Sequence, residues 1–140
     1  MTIVAGVGTY DTARTVELAR AHAELEIDGL LVVTPYYSKP SQAGILAHLR
    51  TVADATDLPV MLYDIPPGRT GVPLSRETLL RIAEHDRVLA VKDAKGDLLQ
   101  STQVMASTDL AFYCGEDALN LPWLALGGRR SGLGGRTCRR

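Results

Sequence analysis

Two reactive side chains each follow a short apolar segment of this 140-residue sequence. Lys92 comes directly after Val88-Leu89-Ala90-Val91. A lysine held in an apolar surround as the neutral amine can attack a ketone and form a Schiff base. Tyr63 follows Val60-Met61-Leu62, where its phenol could relay protons. Taken singly, each residue is better explained by its place at a strand end, Lys92 as a lysine that has reached solvent and Tyr63 as a ring in the core with its hydroxyl in water.

Two loops supply further polar groups. Arg69 lies in Gly68-Arg69-Thr70-Gly71, and a guanidinium on such a loop can hold a substrate carboxylate through two hydrogen bonds. Tyr36 and Tyr37 follow Pro35 and are therefore expected in a turn. Without other evidence, a solvated arginine and surface tyrosines account for both loops.

Other candidates are weaker. The three histidines share no metal-ligand spacing, and Cys114 has no identifiable partner base, so a small buried side chain is expected there. Gly6-Val7-Gly8-Thr9 lacks the remainder of a dinucleotide fingerprint. Asp93 and Asp97, on either side of Lys95, are expected to form a solvated turn.

The elements that must position these residues alternate along the chain. Uninterrupted apolar segments at 3–7, 30–34, 59–63, 88–91 and 110–113 predict strands of a parallel sheet covered by helices. Helical segments lie between them. Asp11 is expected to cap a helix over 12–26, Pro40 to lie in the first turn of the next, and Ser75, Asp97 and Asp117 to begin the other three.

Five βα units fit two α/β architectures. Eight such units make a TIM (β/α)8 barrel, so five would be an incomplete barrel. Five strands can also make an open doubly wound sheet. Chain length favours the open sheet, whereas the reactive residues at the strand ends favour the incomplete barrel.

Composition excludes several classes of protein. Residues 1–128 hold ten basic and 16 acidic side chains, a formal charge of −6, which argues against nucleic acid or an anionic membrane as the main ligand. Two cysteines form no disulfide framework, and no apolar segment approaches membrane-spanning length. The N-terminus does not resemble a signal peptide, so a cytoplasmic location is expected.

Four motifs together resemble one family. VTPYYSKPSQAG, LPVMLYDIP followed by GRTG, VLAVKDAKGD and YCGEDALNLPWLALGG resemble, in order and spacing, the 4-hydroxy-tetrahydrodipicolinate (dihydrodipicolinate) synthases. These belong to the class I pyruvate-dependent lyases and aldolases. The resemblance covers 3–128 and implies a TIM barrel, present as about five units. Sialic-acid lyases, an alternative, share the lysine and tyrosine but not the Arg-Thr-Gly loop at 69–71.

The resemblance implies a role for each residue. Lys92 would form an imine with pyruvate, Tyr63 would relay protons beside it, and Tyr37 would be a second relay tyrosine donated across a dimer interface. Arg69 would bind the carboxylate of L-aspartate 4-semialdehyde, and Gly115 would lie beside the pyruvate pocket. The two substrates would condense on the route to diaminopimelate and lysine. No metal or cofactor is implied because the iminium is the electron sink.

The sequence also departs from this family. About two βα units before Ile3, with a threonine that completes the proton relay, and the last barrel strand are absent from the 140 residues, so an inactive fragment is a second alternative. The longer parent would be a homotetramer, a dimer of dimers. The loop before Arg69 is one residue longer than usual, and Tyr10 replaces a small polar residue.

The chain divides at 128. Residues 129–140 carry five arginines and no acid, and they do not resemble the family. Codons for 128–139 read one base later can encode GVGLVSVVGHVA, which resembles the last barrel strand. A frameshifted tail is therefore the hypothesis, and a genuine basic tail is the alternative.

Overall fold

A computed structural model describes residues 2–130, which form one parallel sheet with helices on one face. The strands are β1 (Val4–Gly6), β2 (Gly29–Val33), β3 (Val60–Asp64), β4 (Val88–Asp93), β5 (Ala111–Cys114) and β6 (Arg129–Arg130). The helices are α1 (Thr12–Ala23), α2 (Gln42–Ala53), α3 (Pro67–Thr70), α4 (Arg76–Ile82), α5 (Leu98–Met105) and α6 (Asn120–Ala125), and a 3-10 turn at Asp117–Leu119 precedes α6.

The strand order decides between the two predicted architectures. The strands lie in the sequence β1-β2-β3-β4-β5-β6, and each pairs in parallel with the next. A doubly wound sheet reverses its strand order at a switch point, whereas a TIM barrel never does. The incomplete barrel is therefore confirmed, and the open doubly wound alternative is wrong.

Side-chain caps fix where the longer helices begin. Asp11, Ser41, Ser75 and Asp97 each accept a hydrogen bond from the backbone N–H three residues later, at 2.7, 3.2, 3.2 and 3.0 Å. Three of these four caps were predicted. The prediction for Pro40 is wrong, because the Ser41 cap starts α2 at Gln42 and leaves the proline outside the helix.

The core lies between the sheet and the helices. Along β3, Val60, Leu62 and Asp64 are buried, while Met61 and Tyr63 on the other face are only half-buried. The first set packs under α2, α4 and α5 through apolar side chains such as Leu49, Ile82 and Val104. The strands were predicted to be buried on both faces. In the described residues only the helix-covered face is fully buried, so this prediction is wrong for the inner face. An open arc of strands does not enclose that face.

The first two residues of the predicted tail form the short strand β6. Arg129 and Arg130 pair with Tyr113 and Cys114 of β5. Residues 131–140 lie outside the described residues, so the division at 128 and the frameshift remain predictions.

Within residues 2–130, no helix has the length and apolar character needed to span a membrane.

Candidate active site

Lys92 and Tyr63 meet on the inner face of the sheet. Tyr63 of β3 and Lys92 of β4 are register partners, so their side chains leave the sheet on the same side. The Lys92 Nζ lies 4.1 Å from the centroid of the Tyr63 ring. The amine and the phenol predicted from separate segments therefore belong to one site.

A third side chain of this row was missed by the sequence interpretation. Tyr113 of β5 is the register partner of Lys92 on the side away from Tyr63. It is half-buried, as are Lys92 and Tyr63. The signal was available, because Tyr113 also closes an apolar segment. Lys92 thus stands between two tyrosines at the carboxyl ends of three adjacent strands.

Tyr37 stands apart from this row and points into solvent. Its side chain is 91% exposed, and its backbone has a φ of 70°. The Ser38 N–H donates to the Tyr36 carbonyl at 2.8 Å, which closes a tight turn around Tyr37. A left-handed conformation costs a non-glycine residue roughly 1–2 kcal/mol. The turn therefore holds Tyr37 outward at an energetic cost.

Arg69 lies on the short helix α3, in the loop between β3 and α4. Its side chain is exposed, and its N–H donates to the Pro66 carbonyl at 2.8 Å. The loop turns back at Gly71, whose φ is 92°, and the stem of Lys39 lies 2.9 Å from the position a Cβ would take there. The loops carrying Tyr37 and Arg69 are thus neighbours. Within residues 2–130, no hydrogen bond or ion pair joins either side chain to Lys92.

Gly115 follows β5 and packs closely against the end of β4. Its N–H donates to the Asp93 carbonyl at 2.6 Å. A Cβ at this position would stand 2.8 Å from the Cβ of Ala94 and 3.1 Å from its backbone. Glycine is therefore required for the two strand ends to approach one another.

The turn after Lys92 is buried, contrary to prediction. Asp93 is 2% exposed and accepts hydrogen bonds from the Gly96 N–H at 3.0 Å and the Ser101 hydroxyl at 2.7 Å. Asp97 alone fits the expected exposed position, where it caps α5. The prediction failed because neighbouring residues on a strand face opposite sides, so Asp93 points under the helices while Lys92 points inward.

An ion pair lies beside Asp93 on the helix-covered face. The Lys95 Nζ is 2.9 Å from Oδ2 of Asp64, and the two side chains are 8% and 0% exposed. Burial raises the pKa of Asp64, while the nearby Lys95 ammonium and the Leu74 N–H act to lower it. Asp64 directly follows Tyr63 in the chain, so this pair lies immediately behind the candidate site.

Cys114 has the buried position expected of it. It is 2% exposed, and its thiol donates to the Glu116 carbonyl at 3.0 Å. Burial raises the pKa of the thiol, which disfavours the reactive thiolate. Among the described residues, no three His, Cys, Asp or Glu side chains are grouped as metal ligands would be.

Comparison with known proteins finds relatives of one family. The family model described as "Dihydrodipicolinate synthetase family" matches residues 1–133. The chain is 64% identical over 126 residues to the 4-hydroxy-tetrahydrodipicolinate synthase of Cutibacterium acnes, an alignment that covers 90% of this chain but 43% of that protein. The chain therefore spans less than half of that relative.

Solved structures give the same result. The dihydrodipicolinate synthase of Cyanidioschyzon merolae, solved with lysine bound, superposes with a TM-score of 0.89 at 45% identity, over 92% of this chain and 44% of that one. The Acinetobacter baumannii enzyme, solved in complex with pyruvate, gives 0.87 at 38% identity, over 94% and 46%. By sequence and by fold, the chain belongs to the dihydrodipicolinate synthetase family.

Proposed function

We propose that this chain carries the Schiff-base half of an active site that condenses pyruvate with L-aspartate 4-semialdehyde. The observation that supports this most directly is the Lys92 amine 4.1 Å from the Tyr63 ring centroid. A nucleophilic amine needs a group nearby that can deliver and remove protons. The Tyr63 phenol, on the same face and at the same register, is suited to that task.

The proposed chemistry begins at Lys92. Its amine adds to the ketone carbon of pyruvate, and the oxygen leaves as water after it takes up two protons, one of them from the amine nitrogen. The resulting iminium acidifies the pyruvate methyl group, and loss of one proton gives an enamine. The enamine carbon then bonds to the aldehyde carbon, whose oxygen takes a proton and becomes a hydroxyl. Tyr63 would relay these protons.

Release of product follows from the second substrate. The amino group of the bound semialdehyde attacks the iminium carbon and displaces the Lys92 amine, which closes the ring of 4-hydroxy-tetrahydrodipicolinate. Arg69 would bind the carboxylate of the semialdehyde, for which an exposed guanidinium beside the strand ends is suited. Gly115 would leave room for pyruvate at the ends of β4 and β5.

Tyr37 is proposed as a relay residue for a neighbouring subunit. Its outward direction and its left-handed backbone support this, since strained conformations at exposed positions often mark functional sites. The longer protein would then act as a dimer of dimers in the cytoplasm, in lysine and diaminopimelate synthesis. Because the chain spans 43% of its relative from Cutibacterium acnes, turnover is expected of that longer protein rather than of this piece.

Borohydride trapping tests the Schiff base. The chain has only three lysines, Lys39, Lys92 and Lys95, so peptide mass spectrometry can assign the site without ambiguity. Incubation with pyruvate and borohydride should add the reduced pyruvyl group to Lys92, and Lys92→Ala should abolish the label. Equal labelling of Lys39, which is exposed, would contradict the proposal.

A further inference from the structure

The buried pair Asp64–Lys95 has no part in the chemistry proposed above, although it lies directly behind it. A buried ion pair usually contributes little net stability, because both charges lose their hydration. Lys95 is also held by a carboxylate and a carbonyl, so it is not available as a nucleophile. The role of the Asp64–Lys95 pair therefore lies in the backbone that the two side chains bind.

Both side chains bind Leu74 through its backbone. Oδ1 of Asp64 accepts from the Leu74 N–H at 3.2 Å, and the Lys95 Nζ donates to the Leu74 carbonyl at 3.0 Å. The Gln100 side-chain amide donates to the same carbonyl at 3.0 Å. Asp64 is the last residue of β3, and Leu74 stands just before the cap of α4. The pair therefore ties together the two ends of the loop 65–73.

That loop carries Arg69, and its base touches the strands that carry Tyr63 and Lys92. Asp64 and Asp93 are register partners, each next in the chain to one of these two residues. The Ala94 N–H also donates to the Asp64 carbonyl at 2.8 Å. Holding the two ends of the loop 65–73 against these strands therefore sets the position of Arg69 relative to the Lys92 amine.

We propose that Asp64 and Lys95 are positioning residues that clamp the base of the loop 65–73 and so hold Arg69 over the ends of β3 and β4. This inference rests on the proposed function only for what Arg69 binds. The clamp itself is a property of the fold, and it can be measured without substrate.

Hydrogen exchange of the whole 140-residue chain measures the clamp. In Lys95→Met, amides of 65–74 should exchange roughly tenfold faster, the factor expected for the loss of one charge-assisted hydrogen bond. Amides of 60–63 and 88–92 should be unchanged. Trypsin should also cleave after Arg69 faster. Lys95→Arg, which keeps a cation with several donors, should restore protection to 65–74.

Two further variants separate loss of the clamp from general effects of losing a charge. Arg14→Met removes the exposed pair Arg14–Glu17 and should change nothing in 65–74. Asp64→Asn with Lys95→Met removes both buried charges, so it should fold even if Lys95→Met does not. It still lacks the donor to the Leu74 carbonyl and should exchange faster in 65–74.

The proposal is overturned if 65–74 exchanges at the wild-type rate in folded Lys95→Met or in the double variant. It is also overturned if β3 and β4 accelerate as much as the loop, since that would show general destabilisation. Borohydride trapping on the wild-type chain is read separately. No label on Lys92 together with a loosened loop in Lys95→Met would refute the proposed function and leave the clamp standing.

Discussion

Tyr63 and Lys92 hold the same register position on adjacent parallel strands, and the lysine amine lies over the face of the tyrosine ring. Each ends its own apolar segment, and the two residues are 29 positions apart in the sequence. Parallel pairing converts that separation in sequence into contact, because each βα unit returns the chain to the same edge of the sheet. The pair therefore follows from the repeat of the fold.

The ring and the hydroxyl of Tyr63 can be separated by mutation. Tyr63→Phe keeps an aromatic face under Lys92 but removes the proton donor. In a longer protein that completes the barrel around this segment, the condensation rate should fall by about 10²–10⁴, as for a lost general acid–base group. Steady-state kinetics would measure this, with Phe112→Leu, a core substitution behind the sheet, as the control for general damage. Wild-type turnover by Tyr63→Phe would exclude the relay role.

Close packing at Gly115 predicts a local defect. Gly115→Ala would place a methyl group against Ala94, and overpacking of this kind costs about 1–3 kcal/mol. Gly6→Ala is the matched control, because a Cβ on Gly6 meets nothing within 4 Å. Urea unfolding followed by tryptophan fluorescence compares the two, since Trp123 is the only tryptophan and is buried. Equal midpoints for both variants would show that the strand ends can separate freely.

The sequence predicted most of the fold because local signals agree with one another. Apolar segments and polar caps recur with the period of a βα unit, and all five predicted strands are present. The apolar segments alone fit both the barrel and the open sheet; the family resemblance predicted the barrel, and the strand order confirms it. The short strand at Arg129–Arg130 was missed because two arginines carry no strand signal.

The candidate site was predictable on one face of the sheet only. Lys92 and Tyr63 were found because they end apolar segments. Asp64 and Lys95 lie behind that face, and they are 31 residues apart in the chain, so their ion pair and their shared contact with Leu74 form only when β3 and β4 pair. Charged residues beside a turn are usually solvated, so nothing in the local sequence distinguishes a pair that folding buries.

Within the part of the chain that the structure describes, β1 has no strand on its outer side, which predicts self-association of the 140-residue chain produced alone. An unpaired strand edge can accept another strand, and the half-covered inner face favours association. The Ile3 and Val7 N–H groups both point toward the β2 side, to Asp28 and Leu31, so alternation directs the Val4 N–H outward.

Proline substitution tests this edge. Val4→Pro removes an outward donor. In sedimentation velocity, the variant should therefore show a smaller share of oligomers and a larger share of monomer than the wild-type chain. Ala5→Pro removes a donor that faces β2 and should instead destabilise the sheet. If the wild-type chain sediments as a monomer at every concentration, the exposed edge is not a site of association.

A buried histidine makes stability depend on pH. His48 of α2 is 5% exposed, and its Nδ1 lies 2.9 Å from the Thr12 hydroxyl. Burial lowers the pKa of His48 below its ordinary value of 6.5, while Asp11 acts in the opposite direction. Below pH 6.5 the unfolded chain therefore binds a proton that the folded chain does not, so stability is complete above that pH and is lost as the pH falls.

The size of this effect has an upper limit of about 1.4 kcal/mol per pH unit for one proton. The free energy of unfolding of the wild-type chain should therefore fall between pH 7.5 and 5.5, and His48→Gln should flatten that dependence. Thr12→Val is the control, because it removes the hydroxyl but leaves the buried imidazole. It should lower stability at both pH values and keep the slope. Parallel curves for wild type and His48→Gln would mean that His48 is protonated in the folded chain as readily as in the unfolded one.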